Sequence, residues 1–513
     1  MILKRQLFIL IALILASGMA FSQNSPNIIV FMVDDMGWQD TSVPFADGVT
    51  EMNKRYKTPN MERLAAQGTK FTNAYANSVC TPTRVSFLTG MSAARHRVTN
   101  WTSPEKDKLT DYADDLFTSP SWNLNGISSG PSIPATVNAT PLPQLLKDAG
   151  YFTAHVGKAH WGPFGTPASN PRNLGFVVNI AGSSIGHPES YYGEENYGNN
   201  PGRPLMLNAV PGLGEYYGSD IFLTEALTLE AIKAVADPIK YKKPFFLYLS
   251  HYAVHTPIEG DPRFLKKYLD KGVDSIEAKY ASLIEGMDKS LGDVMDMLEE
   301  KKIADNTIIM FISDNGGLSL VPPRGGEAYT HNYPLKAGKG SLYEGGIREP
   351  MLVKWPGVTK AGSVSGQNVH INDFFPTILE MAGIRNVSTK QTVDGITFIP
   401  SLKDPALKDD SRAIVWHYPN RWTSDESNAF CYASAIRQGD WKLIYLMKQK
   451  KLELYNLKDD LGEKKDISAT NPKKAKELAA KLSEMLKSYK AQMPIYKSSG
   501  LPVAWPDGTT TVK

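Results

Sequence analysis

The sequence predicts an α/β fold: a large, mostly parallel sheet sandwiched by helices, followed by a smaller C-terminal α+β unit with an antiparallel sheet. Three observations carry this. Four short apolar runs each stop at a polar cluster, helical stretches lie between them, and after about residue 400 the texture changes to short strands separated by tight turns. Continuous apolar runs of this length suit strands buried on both faces. Strands alternating with helices imply a parallel sheet covered on both sides.

Taken in order, the run at 28–33 leads into Asp34 and Asp35, and a helix starts near Pro59, a residue suited to a first helical turn. The stretch 141–150 reads as a helix ending at Gly150. Residues 151–157 form the second run, leading into Lys158 and His160. A helix at 220–236 precedes the third, 245–250, which leads into His251 and His255. A long helix at 280–301 precedes the fourth, 307–313, which leads into Asp314 and Asn315. Ligands of open α/β sheets bind outside the carboxyl ends of the strands, so these four clusters are expected to meet in one pocket. Beyond residue 400, the segments 434–437, 441–445 and 452–457 read as antiparallel strands, and 472–487 as a helix. The expected organisation is 23–400 for the large unit and 401–513 for the C-terminal one.

The first 22 residues read as a cleaved signal peptide. Lys4 and Arg5 precede an apolar run at 7–15, which is too short to span a bilayer comfortably, and small residues follow up to Ser22. The expected location is periplasmic or secreted, without stable membrane insertion. Removing residues 1–22 lowers the formal charge from +3 to +1, which gives no support for a nucleic-acid partner. Hydrophobic residues at 42% and charged residues at 21% exclude a disordered or fibrous chain. The two cysteines, Cys80 and Cys431, could form one disulfide in an exported protein.

The surroundings of Cys80 point elsewhere. Cys80-Thr81-Pro82-Thr83-Arg84, continuing to Leu88-Thr89-Gly90, resembles the signature of the sulfatase family, Cys-x-Pro-x-Arg followed by Leu-Thr-Gly. Six defined positions at matched spacing make a specific signal. The resemblance implies an alkaline-phosphatase-like fold and oxidation of Cys80 to formylglycine by a maturation enzyme. An ordinary serine or cysteine nucleophile would be trapped as a sulfated residue until a second attack. A hydrated aldehyde offers two hydroxyls, one to attack sulfur and one to expel sulfate. Pro82 near a helix start would leave free N–H groups beside an anion, and Arg84, a fixed cation, would stabilise the diolate. If Cys80 is modified it cannot bridge Cys431.

Asp34, Asp35, Asp314 and Asn315 are hard oxygen donors, which favour calcium, with magnesium as the second choice, over zinc. Taken singly, a strand-end Asp pair is more often a cap. Both pairs resemble the family's metal segments, and residue 80 joins them as a ligand. Gly157-Lys158-Ala159-His160 resembles the family's Gly-Lys-x-His element, with Lys158 binding sulfate and His160 taking a proton as sulfate leaves. His255, followed by Thr256-Pro257, matches the residue that contacts the leaving oxygen, and Lys339 the lysine that assists it. His251 is a second candidate beside His255, and Lys336 stands where many relatives have arginine.

Aromatic and polar residues in 101–134 and 182–217 suit a sugar ring, although most such residues pack loops together. Trp101, His187, His417 and Arg421 are the candidate substrate contacts, the last two from a segment, 417–422, expected at the pocket rim. The expected substrate is a sulfated saccharide attacked in exo fashion. Two alternatives stay open: a phosphonate or phosphate ester hydrolase of the same superfamily, and a non-catalytic sugar-binding relative.

Overall fold

The structure, a computed structural model, describes residues 25–130, 133–200, 206–319, 332–423 and 429–510; the leader read over 1–22 lies outside them. Among the described residues no helix is long and apolar enough to cross a membrane.

The large sheet contains nine strands: β1 (Asn27–Val33), β2 (Thr69–Tyr75), β3 (Phe152–Gly157), β4 (Val178–Ile180), β5 (Phe245–Ser250), β6 (Thr307–Ser313), β7 (Arg348–Lys354), β8 (Ser363–Ser365) and β9 (Val369–His370). Their order is β8-β2-β7-β6-β1-β5-β3-β4, with β9 also on β2. β1 runs parallel to β5 and β6, and β5 parallel to β3. β7 is antiparallel to both of its neighbours. The sheet is therefore mixed but mostly parallel, as expected: parallel pairing reaches both edges, and β7 is the strand that runs against the rest.

Alternation sorts the central side chains between two cores. Ile29, Phe31, Leu247, Leu249, Ile309 and Phe311 face one side, where α1 (Leu223–Ala234) and α2 (Ser275–Glu300) cover them. Ile28, Val30, Met32, Phe246, Ile308 and Met310 face the other, covered by helices Cys80–Thr89, Leu142–Asp148 and Phe374–Met381. All twelve are buried, so burial on both faces accounts for the unbroken apolar runs. At roughly 2 kcal/mol per fully buried aliphatic or phenyl side chain, this alternation fixes the register, because a one-residue slip would exchange the two faces.

The register aligns the strand ends. Val33 is opposite Ser313, Met32 opposite Ser250, and Gly157 opposite Ser250. The residues that follow each strand therefore emerge at one edge. Gly157 permits a close approach: its φ is +99°, and a Cβ there would lie 1.9 Å from the Ser250 carbonyl oxygen.

The C-terminal sheet is β10 (Ala413–Arg421), β11 (Cys431–Gln438), β12 (Trp441–Leu446) and β13 (Lys451–Asn456), all antiparallel, with helix Pro472–Ser488 on one face. Its other face packs on the large unit: Ile414, Trp416 and Tyr418 share a cluster with Tyr75, Val79, Leu342 and Ile347. Ile399 and Leu402 still belong to the core beneath the large sheet.

Candidate active site

Cys80 is the first residue of its helix, after Val79, and no side chain caps that end. The first N–H groups are thus left for a ligand, and the dipole favours an anion there. Cys80 and Cys431 are both buried and are not bridged to one another. Cys80 Sγ lies 3.3 Å from His160 Nδ1.

His160 Nε2 lies 2.9 Å from the Thr102 carbonyl. A carbonyl only accepts, so Nε2 carries the proton and Nδ1 presents a lone pair to residue 80. Burial, with Lys158 nearby, pushes the imidazole well below its ordinary value, so it is neutral. Its backbone φ is +52°. Space for the ring comes from Gly186, where a Cβ would approach His160 Cε1 to 2.7 Å.

Arg84 is fully buried and joins three strand ends. Nε donates to Asp314 Oδ2 at 2.9 Å, and Nη1 donates to the Lys158 carbonyl at 3.0 Å and to Ser250 Oγ at 2.6 Å. Burial opposes its charge, but the Asp314 carboxylate more than offsets that and raises its pKa. Lys158 Nζ donates to Asp34 Oδ2 at 2.6 Å. Lys339 Nζ donates to both Asp35 oxygens, at 2.6 and 2.8 Å. Burial alone would raise the Asp35 carboxyl; Lys339 and His255 hold it well below the usual carboxylate range. Asp34 goes the other way, raised by burial and by the neighbouring Asp314.

The four oxygen donors meet where β1 and β6 end. Asn315 Nδ2 donates to Asp35 Oδ1 at 2.8 Å, and the Asp35 N–H donates to Asp314 Oδ1 at 3.2 Å. Asp34 Oδ1 and Asn315 Oδ1 are buried and accept no hydrogen bond. Buried oxygens without a donor are costly, at about 1–3 kcal/mol each, unless a cation satisfies them. An all-oxygen set with two such orphans fits a hard divalent cation. His255 Nε2 stands 3.6 Å from Asp35 Oδ2, while its Nδ1 lies 2.9 Å from the Thr256 carbonyl.

A cavity of about 960 Å³ opens over this cluster. Cys80, His160, His255 and Lys339 line it, together with Trp101, His187, Tyr112 and Trp422. Trp422 packs against Gly340, whose φ is +87° and where a Cβ would meet the indole at 2.1 Å.

Trp101 and His187 therefore line the cavity, and two other candidates do not. His417 is buried in β10, with Nδ1 2.8 Å from Ser434 Oγ and Nε2 3.0 Å from the Gln492 carbonyl. It shares the strand face of Val415, which packs toward the C-terminal helix, so alternation turns it away from the site. Arg421 spends its guanidinium on the Ala113 carbonyl, Asp114 Oδ2 and the Thr423 carbonyl. The segment reaches the cavity through Trp422. His251 is a core residue, with Nε2 2.8 Å from Ser290 Oγ and its ring against Phe31. Sequence reasoning did not single out Ser250 or the Thr102 carbonyl. A backbone contact has no residue signature, whereas Ser250, the polar last residue of an apolar run, offered one.

The Sulfatase family model matches residues 26–384, and the model described as N-sulphoglucosamine sulphohydrolase, C-terminal, matches residues 337–492. A sulfatase of Formosa agariphila is 30% identical over 94% of this chain and 92% of its own. The N-acetylgalactosamine-6-sulfatase of Homo sapiens is 30% identical over 79% of this chain and 74% of its own. The solved structure of Ps i-CgsB in complex with k-i-k-neocarrahexaose is similar with a TM-score of 0.70 at 26% identity, covering 90% of this chain and 93% of that one.

Proposed function

Because this chain belongs to the sulfatase family and is a sulfuric ester hydrolase, we propose that it removes sulfate from a saccharide in exo fashion, with Cys80 matured to formylglycine and a divalent metal, calcium before magnesium, at the oxygen cluster. The carrying observation is the cavity floor, where Cys80, His160, His255 and Lys339 come together beside Asp34 and Asp35. The saccharide reading is supported by the Trp101, Tyr112 and Trp422 rings lining the same cavity, since an aromatic face suits a sugar ring.

The matured residue 80 would supply a nucleophilic hydroxyl and a second hydroxyl for expelling sulfate. The metal, held by Asp34, Asp35, Asp314, Asn315 and residue 80, would polarise a sulfate oxygen. Lys158 and Lys339 bind the sulfate group and favour charge developing toward the leaving oxygen. Arg84 holds Asp314 and the ends of β3 and β5 in place. His160 Nδ1 takes the proton from residue 80 when sulfate departs. His255 Nε2, its Nδ1 committed to Thr256, faces the leaving oxygen. Export after cleavage at residue 22, and division near residue 400, belong to the same reading.

The test is hydrolysis of 4-nitrophenyl sulfate against bis(4-nitrophenyl) phosphate, followed by a panel of sulfated mono- and disaccharides. Preference for the sulfates, and for a terminal sulfated sugar, supports the reading. Preference for the phosphate diester, or cleavage of neither, would overturn it.

A further inference from the structure

His187 lines the cavity and is half-buried. Its ring lies parallel to that of His255, 5.7 Å between centroids and 7° between planes. Both rings settle their Nδ1 in the same way, on the carbonyl of the following residue: His187 on Pro188 at 2.9 Å and His255 on Thr256 at 2.9 Å. The Pro188 carbonyl can only accept, so Nδ1 of His187 carries the proton. Burial lowers its pKa, and Lys158 and Lys339 oppose a further positive charge, so the ring is neutral. Its Nε2 is then a lone-pair acceptor with no hydrogen-bond partner among the described residues.

An acceptor is the wrong partner for an anionic sulfate oxygen and the right one for a hydroxyl. His255 faces the ester oxygen under the reading above, and because the two rings are stacked, an oxygen within about 2.8 Å of His187 Nε2 is a near neighbour, on one sugar ring, of the oxygen that His255 faces. We propose that His187 accepts a hydrogen bond from a free hydroxyl next to the sulfated position, and so selects sugars whose neighbouring hydroxyl is unsubstituted. The proposal rests on the saccharide sulfatase reading. It makes His187 a specificity residue, because a site built to bind a hydroxyl rejects an analogue lacking it.

The test is a cycle of two enzymes and two substrates. Matured wild type and His187→Phe, which keeps a flat ring against His255, are assayed on the best saccharide monosulfate of the panel and on its analogue O-methylated at the neighbouring hydroxyl. Every rate is divided by that for 4-nitrophenyl sulfate, which has no such hydroxyl. Methylation is expected to lower the normalised kcat/KM of wild type by about tenfold or more and to change that of His187→Phe little. His187→Gln retains an acceptor and should keep part of the discrimination. Equal methylation penalties in wild type and His187→Phe, or no penalty in wild type, overturn the proposal while leaving the sulfatase reading intact. Turnover of 4-nitrophenyl sulfate without any saccharide monosulfate also overturns it, and failure on every sulfate ester falls on the parent reading.

Discussion

His160 is the most exposed point of the proposed chemistry. Its Nε2–H is fixed on the Thr102 carbonyl at 2.9 Å, and its Nδ1 is 3.3 Å from Cys80 Sγ. Two substitutions separate what it holds from what it does. His160→Gln can keep a donor toward Thr102 but offers no basic nitrogen to residue 80. His160→Ala removes both. A positioned general base contributes about 100- to 10,000-fold, or roughly 3–5 kcal/mol of barrier. Both variants should therefore lose turnover to a similar degree. Their stabilities should differ, because only His160→Ala leaves the Thr102 carbonyl without its donor, at a cost of about 1 kcal/mol beyond the lost packing. The base acts when sulfate is expelled, after the alcohol has left, so stopped-flow assay with 4-nitrophenyl sulfate should show one equivalent of alcohol released per matured enzyme and then a stall. If His160→Gln turns over within tenfold of wild type, or loses the burst together with the steady state, the base role is wrong.

Four other outcomes follow from the same geometry. Gly186→Ala puts a Cβ 2.7 Å from His160 Cε1; the ring must shift, and kcat should fall by about tenfold or more with the circular dichroism spectrum unchanged. Removing divalent ions by chelation should abolish sulfate ester hydrolysis and lower the thermal midpoint, because Asp34 Oδ1 and Asn315 Oδ1 then lack a partner. Calcium at about 100 times its dissociation constant should restore about 2.7 kcal/mol of stability. Burial depresses His417 to about 4 in the folded protein, against 6.5 unfolded. A depressed imidazole binds its proton more readily in the unfolded chain, so it contributes stability above pH 6.5 that is lost as the pH falls toward 4. His417→Gln should flatten the stability-versus-pH slope in that window by about 1.4 kcal/mol per pH unit, read by calorimetry, with kcat/KM retained because the ring lies outside the cavity. Arg84→Met should cost about 3–5 kcal/mol of stability, because it leaves the buried Asp314 carboxylate without its cationic partner.

Much of this site was legible in the sequence because the parallel strands at the sheet centre are apolar throughout and stop abruptly at charged residues. Buried-strand patterning in the sequence thus places Asp34, Lys158, His255 and Asp314 at one edge. β2 and β7 were harder to read. Lys70 and Asn73 interrupt the one, and Pro350 with a register shift between Glu349 and Met351 interrupts the other. The misreading of His417 has a simple cause. Without the strand Ala413–Arg421, its alternation could not be used; with it, Ile414, Trp416 and Tyr418 take the face toward the large unit and His417 the opposite one. Trp422 could not have been found the same way, since its place follows from Gly340, 82 positions earlier in the chain.

The central claim is that residue 80 is the reacting group, and intact-peptide mass spectrometry of 77–84 combined with titration of active sites tests it most directly. The account predicts that the fraction of residue 80 carrying the aldehyde equals the fraction of enzyme giving an alcohol burst, and that Cys80→Ala has neither. Full sulfate ester hydrolysis from protein whose residue 80 is entirely unmodified thiol, or from Cys80→Ala, would contradict it.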